Sequence, residues 1–213
     1  KQPLACTHVY GCQQNVADME ILRGMLEEMG YGFTEKEETA DLILMNTCAV
    51  REGAEYRIYG NVGALKRYKE KKRDMRLVLC GCMMQEEHVL DYIRRSFPYV
   101  DIVFGTHNLA HFPCLLLENL QTGKRVIEVV EDADAIAEGL PVKRYDPYRA
   151  SVTIMSGCNN FCSYCIIPYV RGRVRSRNLD DIILEVKSLV KSGVGEIVLV
   201  GIEIASYGKD YTD

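Results

Sequence analysis

The chain has 213 residues, 47% hydrophobic and 26% charged, with 26 lysines and arginines against 30 aspartates and glutamates for a net charge of −4. This is enough apolar material for a sizeable core in one large or two modest globular domains. The charge balance excludes a bulk attraction to nucleic acid or membrane, so a polyanion would have to meet a local basic patch.

From the start to about residue 130, short apolar runs alternate with amphipathic stretches, the pattern of a doubly wound parallel sheet with helices on both faces. Strands are predicted at Ala5 to Tyr10, Leu42 to Asn46, Leu77 to Cys80, Ile102 to Phe104 and Val126 to Val130. Helices are predicted at Val16 to Met29, stopped by Gly30, at Gly53 to Lys71, and at Glu86 to Phe97, stopped by Pro98. Residues 131 to 149 lose the pattern, turn acidic and carry Pro141 and Pro147. The expected division is a first domain over 3–121, a connection over 122–143 and a second domain over 144–213. In the second, Val152 to Met155 reads as a strand, Leu179 to Val190 as a helix and Ile197 to Val200 as another strand.

Nine cysteines occur without an N-terminal apolar signal segment or an apolar run long enough to span a bilayer. The expected setting is a reducing cytoplasm, where cysteines ligate metals or sit buried. Cys158, Cys162 and Cys165 form a CxxxCxxC loop. Three thiolates on one loop suit three irons of a [4Fe-4S] cube and leave the fourth iron open to a substrate or cofactor. Zinc would call for paired CxxC arms and four ligands, and no second arm follows Cys165.

Cys12, Cys48 and Cys82 are far apart in sequence, yet each follows the C-terminal end of a predicted strand. In a parallel sheet those ends share the edge where doubly wound folds bind ligands. Gly11 and Gly81 beside them permit close backbone approach. Spacing alone leaves these three equally open to being ordinary buried cysteines. Cys6, Cys80 and Cys114 read as packing residues, and His8, His88, His107 and His111 as surface or capping residues, since none is spaced to pair with an acid or a cysteine.

Arg171, Arg173, Arg175 and Arg177 alternate with Gly172, Val174 and Ser176, so an extended backbone would point all four guanidinium groups one way. There they would hold phosphates or a carboxylate, or else form a solvated strand edge. Substituting Arg171 or Arg175 is expected to leave the fold intact. A denser patch, Lys66, Arg67, Lys69, Lys71, Lys72 and Arg73, ends the long helix, where cations favour the helix C-terminus; contact with RNA is the alternative.

The run Gly157-Cys158-Asn159-Asn160 through Ile166-Ile167-Pro168-Tyr169 to Arg171-Gly172 resembles the radical S-adenosylmethionine (SAM) enzymes, in particular their methylthiotransferase branch. GCQxN at Gly11, NTCAVRE at Asn46, GCMxQ at Gly81 and the segment Val100 to Thr106 are similar to the N-terminal domain of that branch, most closely the MiaB type acting on tRNA. The resemblance implies two [4Fe-4S] clusters: one on Cys158, Cys162 and Cys165 that binds SAM, and an auxiliary one on Cys12, Cys48 and Cys82 that supplies sulfur. It implies Tyr164 beside the SAM adenine, with Arg171 and Arg175 as further SAM-binding residues. It also implies a tRNA substrate modified at C2 of N6-isopentenyladenosine at position 37, next to the anticodon, and an electron donor such as flavodoxin or ferredoxin, with no membrane partner. Gly201-Ile202-Glu203-Ile204-Ala205-Ser206-Tyr207-Gly208 is closer to the MtaB branch, which acts on N6-threonylcarbamoyladenosine. An iron-sulfur electron-transfer or binding module is the alternative of another class. The fold expected after residue 143 is the start of a partial (β/α) barrel, because a complete one takes about 200 residues or more. The chain is accordingly expected to be a fragment that does not turn over alone.

Overall fold

The computed structural model describes residues 1–49, 54–131, 136 and 138–211. Gly53, the predicted helix start, and residues 50–52 of the NTCAVRE motif fall outside these. Six parallel strands form the N-terminal sheet: β1 (Leu4–Tyr10), β2 (Gly32–Phe33), β3 (Leu42–Thr47), β4 (Arg76–Gly81), β5 (Ile102–Phe104) and β6 (Val126–Glu128), in the order β2-β1-β3-β4-β5-β6. β3 is buried at every position, as a strand covered on both faces should be.

Alternate residues serve opposite layers. Leu42, Leu44 and Val78 face α1 (Gln13–Glu28) and α4 (Phe112–Thr122) through Met19, Leu22, Leu26, Phe112 and Leu116. Ile43, Met45, Leu77 and Leu79 face α2 (Ala54–Lys71) and α3 (Glu87–Ser96) through Ile58, Val62, Leu65, Val89 and Ile93. The sheet is therefore doubly wound, as expected. β2 lies on one side of β1 and β3 on the other, so the chain reverses its winding there. The crevice above such a reversal is where these folds bind ligands.

Two differences from the sequence reading bear on the site. α1 begins at Gln13 rather than Val16, with Cys12 as its N-cap, so a thiol sits at the positive end of a helix. β6 belongs to the sheet although it lies within 122–143, so the first layer structure reaches into the expected connection.

In the second part β7 (Arg149–Thr153) pairs in parallel with β10 (Glu196–Val200), and α6 (Leu179–Lys191) crosses between them. Asn178 caps α6 by accepting from Asp180 N–H at 2.8 Å. The single strand expected at Val152 to Met155 is divided. β7 ends at Thr153, and β8 (Met155–Ser156) turns to pair antiparallel with β9 (Arg175–Ser176). Ile154 joins the two directions, donating to Val200 O and accepting from Arg177 N–H. A short helix, α5 (Ile167–Val170), lies in the loop between β8 and β9.

The two parts touch along α1. Gln13 and Gln14 donate to the hydroxyls of Ser151 and Thr153 at 2.9 and 3.1 Å, and Thr106 Oγ1 donates to Val170 O at 2.7 Å. Among the described residues no helix is long and apolar enough to cross a membrane.

Candidate functional site

Cys12, Cys48 and Cys82 lie just past β1, β3 and β4, which are adjacent in the sheet, so the topology brings all three to one edge. An amide network fixes that edge. Asn15 donates to Asn46 Oδ1 at 2.8 Å and to Thr47 O at 3.0 Å, accepts from Cys12 N–H at 3.3 Å, and is fully buried. Asn46 donates back to Asn15 O at 3.1 Å. Gly81 has φ +102°, and a Cβ there would lie 2.3 Å from Asn46 Oδ1, so glycine lets β4 close against β3.

The thiols differ electrostatically. A hydrogen bond with Cys48 draws the Cys12 thiol well below its ordinary range, against the effect of burial and with help from Asn15 and Gln14 N–H and from Arg171. Burial pushes the Cys82 thiol up, although Arg171 opposes it.

Arg171 is the residue whose place differs most from expectation. Only 4% exposed, it donates from Nε to Cys82 Sγ at 3.0 Å and pairs through Nη1 with Asp18 at 2.8 Å. Burial works against its charge, but Asp18 and Cys82 outweigh that and hold its pKa above the ordinary value. Arg171, Arg175 and Arg177 line one cavity, but Arg173 does not, and the four make different contacts. Arg173 lies over the Phe161 ring at 4.3 Å, Arg175 donates to Arg171 O at 3.0 Å, and Arg177 pairs with Glu138 and Glu185. Only Arg175 and Ser176 are in strand conformation, because Gly172 at φ +73° and α5 break the extended run that the alternation suggested.

The CxxxCxxC loop folds back on the segment after α5. Cys158 N–H donates to Gly172 O at 3.1 Å, Asn159 Oδ1 accepts from Val174 N–H at 3.1 Å, and Cys165 N–H donates to Cys162 O at 2.9 Å. Gly157 has φ +75° and would place a Cβ 1.9 Å from Arg173 O. Cys158 is buried and Cys162 exposed, while the Tyr164 ring stands 90% exposed. Among the described residues the sulfurs of neither triad all come within 4.8 Å of one another. Tetrahedral zinc, with bonds of about 2.3 Å, would need sulfurs about 4 Å apart. The all-thiolate donor sets and the buried cation beside Cys82 suit an anionic iron-sulfur cube.

The remaining sequence readings divide. Cys6 and Cys80 are buried, with thiols raised chiefly by burial, that of Cys6 to about 11. Cys114 is exposed rather than packed. His8 and His111 face Glu37 and Glu128, and His88 lies within 4.8 Å of the Glu55 and Glu86 carboxylates, although sequence spacing gave none of them an acidic partner. Within the basic patch, Lys69 binds Asp101 and Lys72 binds Asp41, each at 2.7 Å, at the N-terminal ends of β5 and β3. These two lysines serve the fold, at the sheet end opposite the thiols. Asp18, Asn15 and Asn46 were not singled out from sequence; the last two lie inside the quoted GCQxN and NTC motifs, whereas Asp18 lies in none.

A cavity of 940 Å³ opens between the two parts, lined by Asp18, Thr106, Ser156, Arg171, Arg175 and Arg177 among others. A doubly wound domain with three thiols at one edge is followed by a CxxxCxxC loop at the head of a parallel βαβ unit, an arrangement with enough thiolates to hold iron-sulfur clusters. Residues 152–212 match the Radical SAM superfamily, and residues 5–105 match the family described as Uncharacterized protein family UPF0004. The chain thus carries a UPF0004 domain followed by a radical SAM domain. A relative from Caldicellulosiruptor saccharolyticus named tRNA-2-methylthio-N(6)-dimethylallyladenosine synthase is 53% identical over 204 residues, 96% of this chain and 43% of the relative. Proteins of the same name from Clostridium tetani and Acetivibrio thermocellus are 53% and 48% identical, over 94% and 100% of this chain and 44% of each relative. The chain spans less than half the length of these curated relatives.

Proposed function

We propose that this protein is a tRNA methylthiotransferase that installs a methylthio group at C2 of N6-isopentenyladenosine at position 37. The relatives' shared name supports the reaction, and the observation that carries it is structural: one chain presents two separate thiol triads, and Arg171 links their surroundings. Cys158, Cys162 and Cys165 would hold a [4Fe-4S] cluster with SAM, and Cys12, Cys48 and Cys82 an auxiliary [4Fe-4S] cluster. When bound, these groups would supply hydrogen abstraction from the adenine and sulfur for the new bond, and a second SAM would supply the methyl group. The chain's own residues would hold and orient them. The folded loop over Gly172 and Val174 fixes the first thiol set, and the Asn15–Asn46 network fixes the second. Tyr164 is exposed on the first loop, where it is free to lie along an adenine, and Arg175, which lines the cavity between the two parts, would serve as a carboxylate partner.

The partners in this reading are tRNA, a low-potential electron donor such as flavodoxin or ferredoxin, and a sulfur donor, all cytoplasmic. Nucleoside mass spectrometry of tRNA from cells lacking the protein tests it. The expected result is isopentenyladenosine without its methylthio group. Loss of the group from threonylcarbamoyladenosine instead would move the substrate to the one suggested by Gly201 to Gly208, and unchanged tRNA would overturn the proposal.

A further inference from the structure

We propose that Arg171 is a positioning residue that ties the two thiol sites together and sets the reduction potential of the auxiliary cluster, with Asp18 as its counterweight; the inference rests on Cys12, Cys48 and Cys82 holding that cluster. Its backbone belongs to the radical SAM side. Arg171 N–H donates to Ile167 O at 2.8 Å, and the carbonyl of the next residue, Gly172, accepts from Cys158 N–H. Its side chain crosses to the UPF0004 side and reaches Cys82 Sγ and Asp18. A shift of the CxxxCxxC loop therefore pulls on the guanidinium that touches an auxiliary ligand.

The geometry also leaves a donor in reserve. Nη2 of Arg171 is buried without a hydrogen-bond partner, beside a sulfur at the sheet edge. A buried arginine with an unused N–H costs stability unless something accepts from it, and a cluster sulfur is the acceptor that the site provides. A fixed positive charge and N–H···S bonds stabilise the more negative, reduced state of a cluster and so raise its potential. Asp18 partly neutralises that charge from the other side.

The test uses the reconstituted protein with Cys158, Cys162 and Cys165 all replaced by Ala, so that the auxiliary cluster is read alone by anaerobic titration with dithionite and electron paramagnetic resonance. Arg171→Gln should make the midpoint more negative, with about a tenfold change in the reduced-to-oxidised ratio, or about 59 mV for one electron. Asp18→Asn should move it the other way, and Arg171→Lys should restore part of the loss. If Arg171→Gln does not fold or loses the cluster, the direction of the Asp18→Asn shift decides. Retained iron with potentials unmoved in these variants overturns the role of Arg171. Loss of all iron in the triple alanine background removes the auxiliary-cluster reading, and this inference with it.

Discussion

At the scale of single residues, one glycine does what no other residue can do at its point. Gly157 sits at φ +75° with Arg173 O where a Cβ would go, so Gly157→Ala must push the CxxxCxxC loop off the segment it folds against. The expected outcome is a protein that keeps the iron of the Cys12 triad and loses that of the Cys158 triad, with unchanged circular dichroism; iron analysis after anaerobic reconstitution checks it. Asn15 offers a second case. Removing its buried side chain in Asn15→Ala orphans Asn46 Oδ1, Thr47 O and Cys12 N–H, a loss of about 1–3 kcal/mol measurable by denaturant unfolding, together with weaker retention of auxiliary iron. That Cys12, Cys48 and Cys82 share one sheet edge was legible because each follows an apolar run that forms a strand. Arg171 was not, because alternation along a segment predicts a shared face only if the backbone stays extended, and Gly172 at φ +73° ends that condition. Asp18 left no signal at all: a single acid one turn into a helix becomes a partner only when a distant segment delivers a guanidinium to it.

At the scale of elements, the parallel strands were legible because full burial makes them continuous apolar runs, and three of the four long helices of the sheet domain because they alternate faces. α4 was missed. Its Pro113 sits in the first turn, where proline starts a helix rather than breaks one, and Gly123 at φ +64° closes it. β2, of two residues, is too short to carry a pattern. The end of α2 shows how tertiary pairing decides between two readings of one charge run. Asp101 accepts from Lys69 Nζ and from Leu77 N–H at 2.8 Å, so Asp101→Ala leaves Leu77 N–H unpaired and the Lys69 ammonium with only Met75 O, without a counter-charge in a mostly buried setting, and a loss of about 2–4 kcal/mol is expected on urea denaturation. Asp41 behaves likewise toward pH. Burial alone would raise its carboxyl, but Lys72 and Leu4 N–H bring it below its ordinary value. A carboxylate depressed in the folded state contributes stability that is complete above the ordinary range, about pH 4, and is lost as pH falls through the lower folded value. The acid limb of a stability–pH curve should therefore flatten in Asp41→Asn, whereas an identical limb would show that the pair contributes nothing.

At the scale of the whole molecule, the second part shows more apolar surface than a closed unit would. α6 buries Ile182 and Leu189 against β7 and β10, yet Leu179, Ile183 and Val190 form another stripe at spacings of four and seven, with Leu184 beside it. All four are exposed, so the helix is apolar on two sides, which a helix lying on a surface is not. The outer edge of β10 has no strand partner among the described residues, and Leu199 on that strand is 51% exposed. Unpaired backbone donors and acceptors next to an apolar helix face form a surface that another chain can cover, by pairing at the edge and burying the stripe together. A net charge of −4 on 213 residues gives little repulsion to prevent it. These residues, alone in solution, are thus expected to self-associate with increasing concentration, as a rise in weight-average mass in sedimentation velocity. Leu184→Glu together with Leu199→Lys should return the chain to a monomer, because one places a charge on the stripe and the other guards the edge. Neither residue touches the thiol triads, so iron content should be unchanged. A wild-type chain that stays monomeric up to millimolar concentration would mean that this face is covered from within.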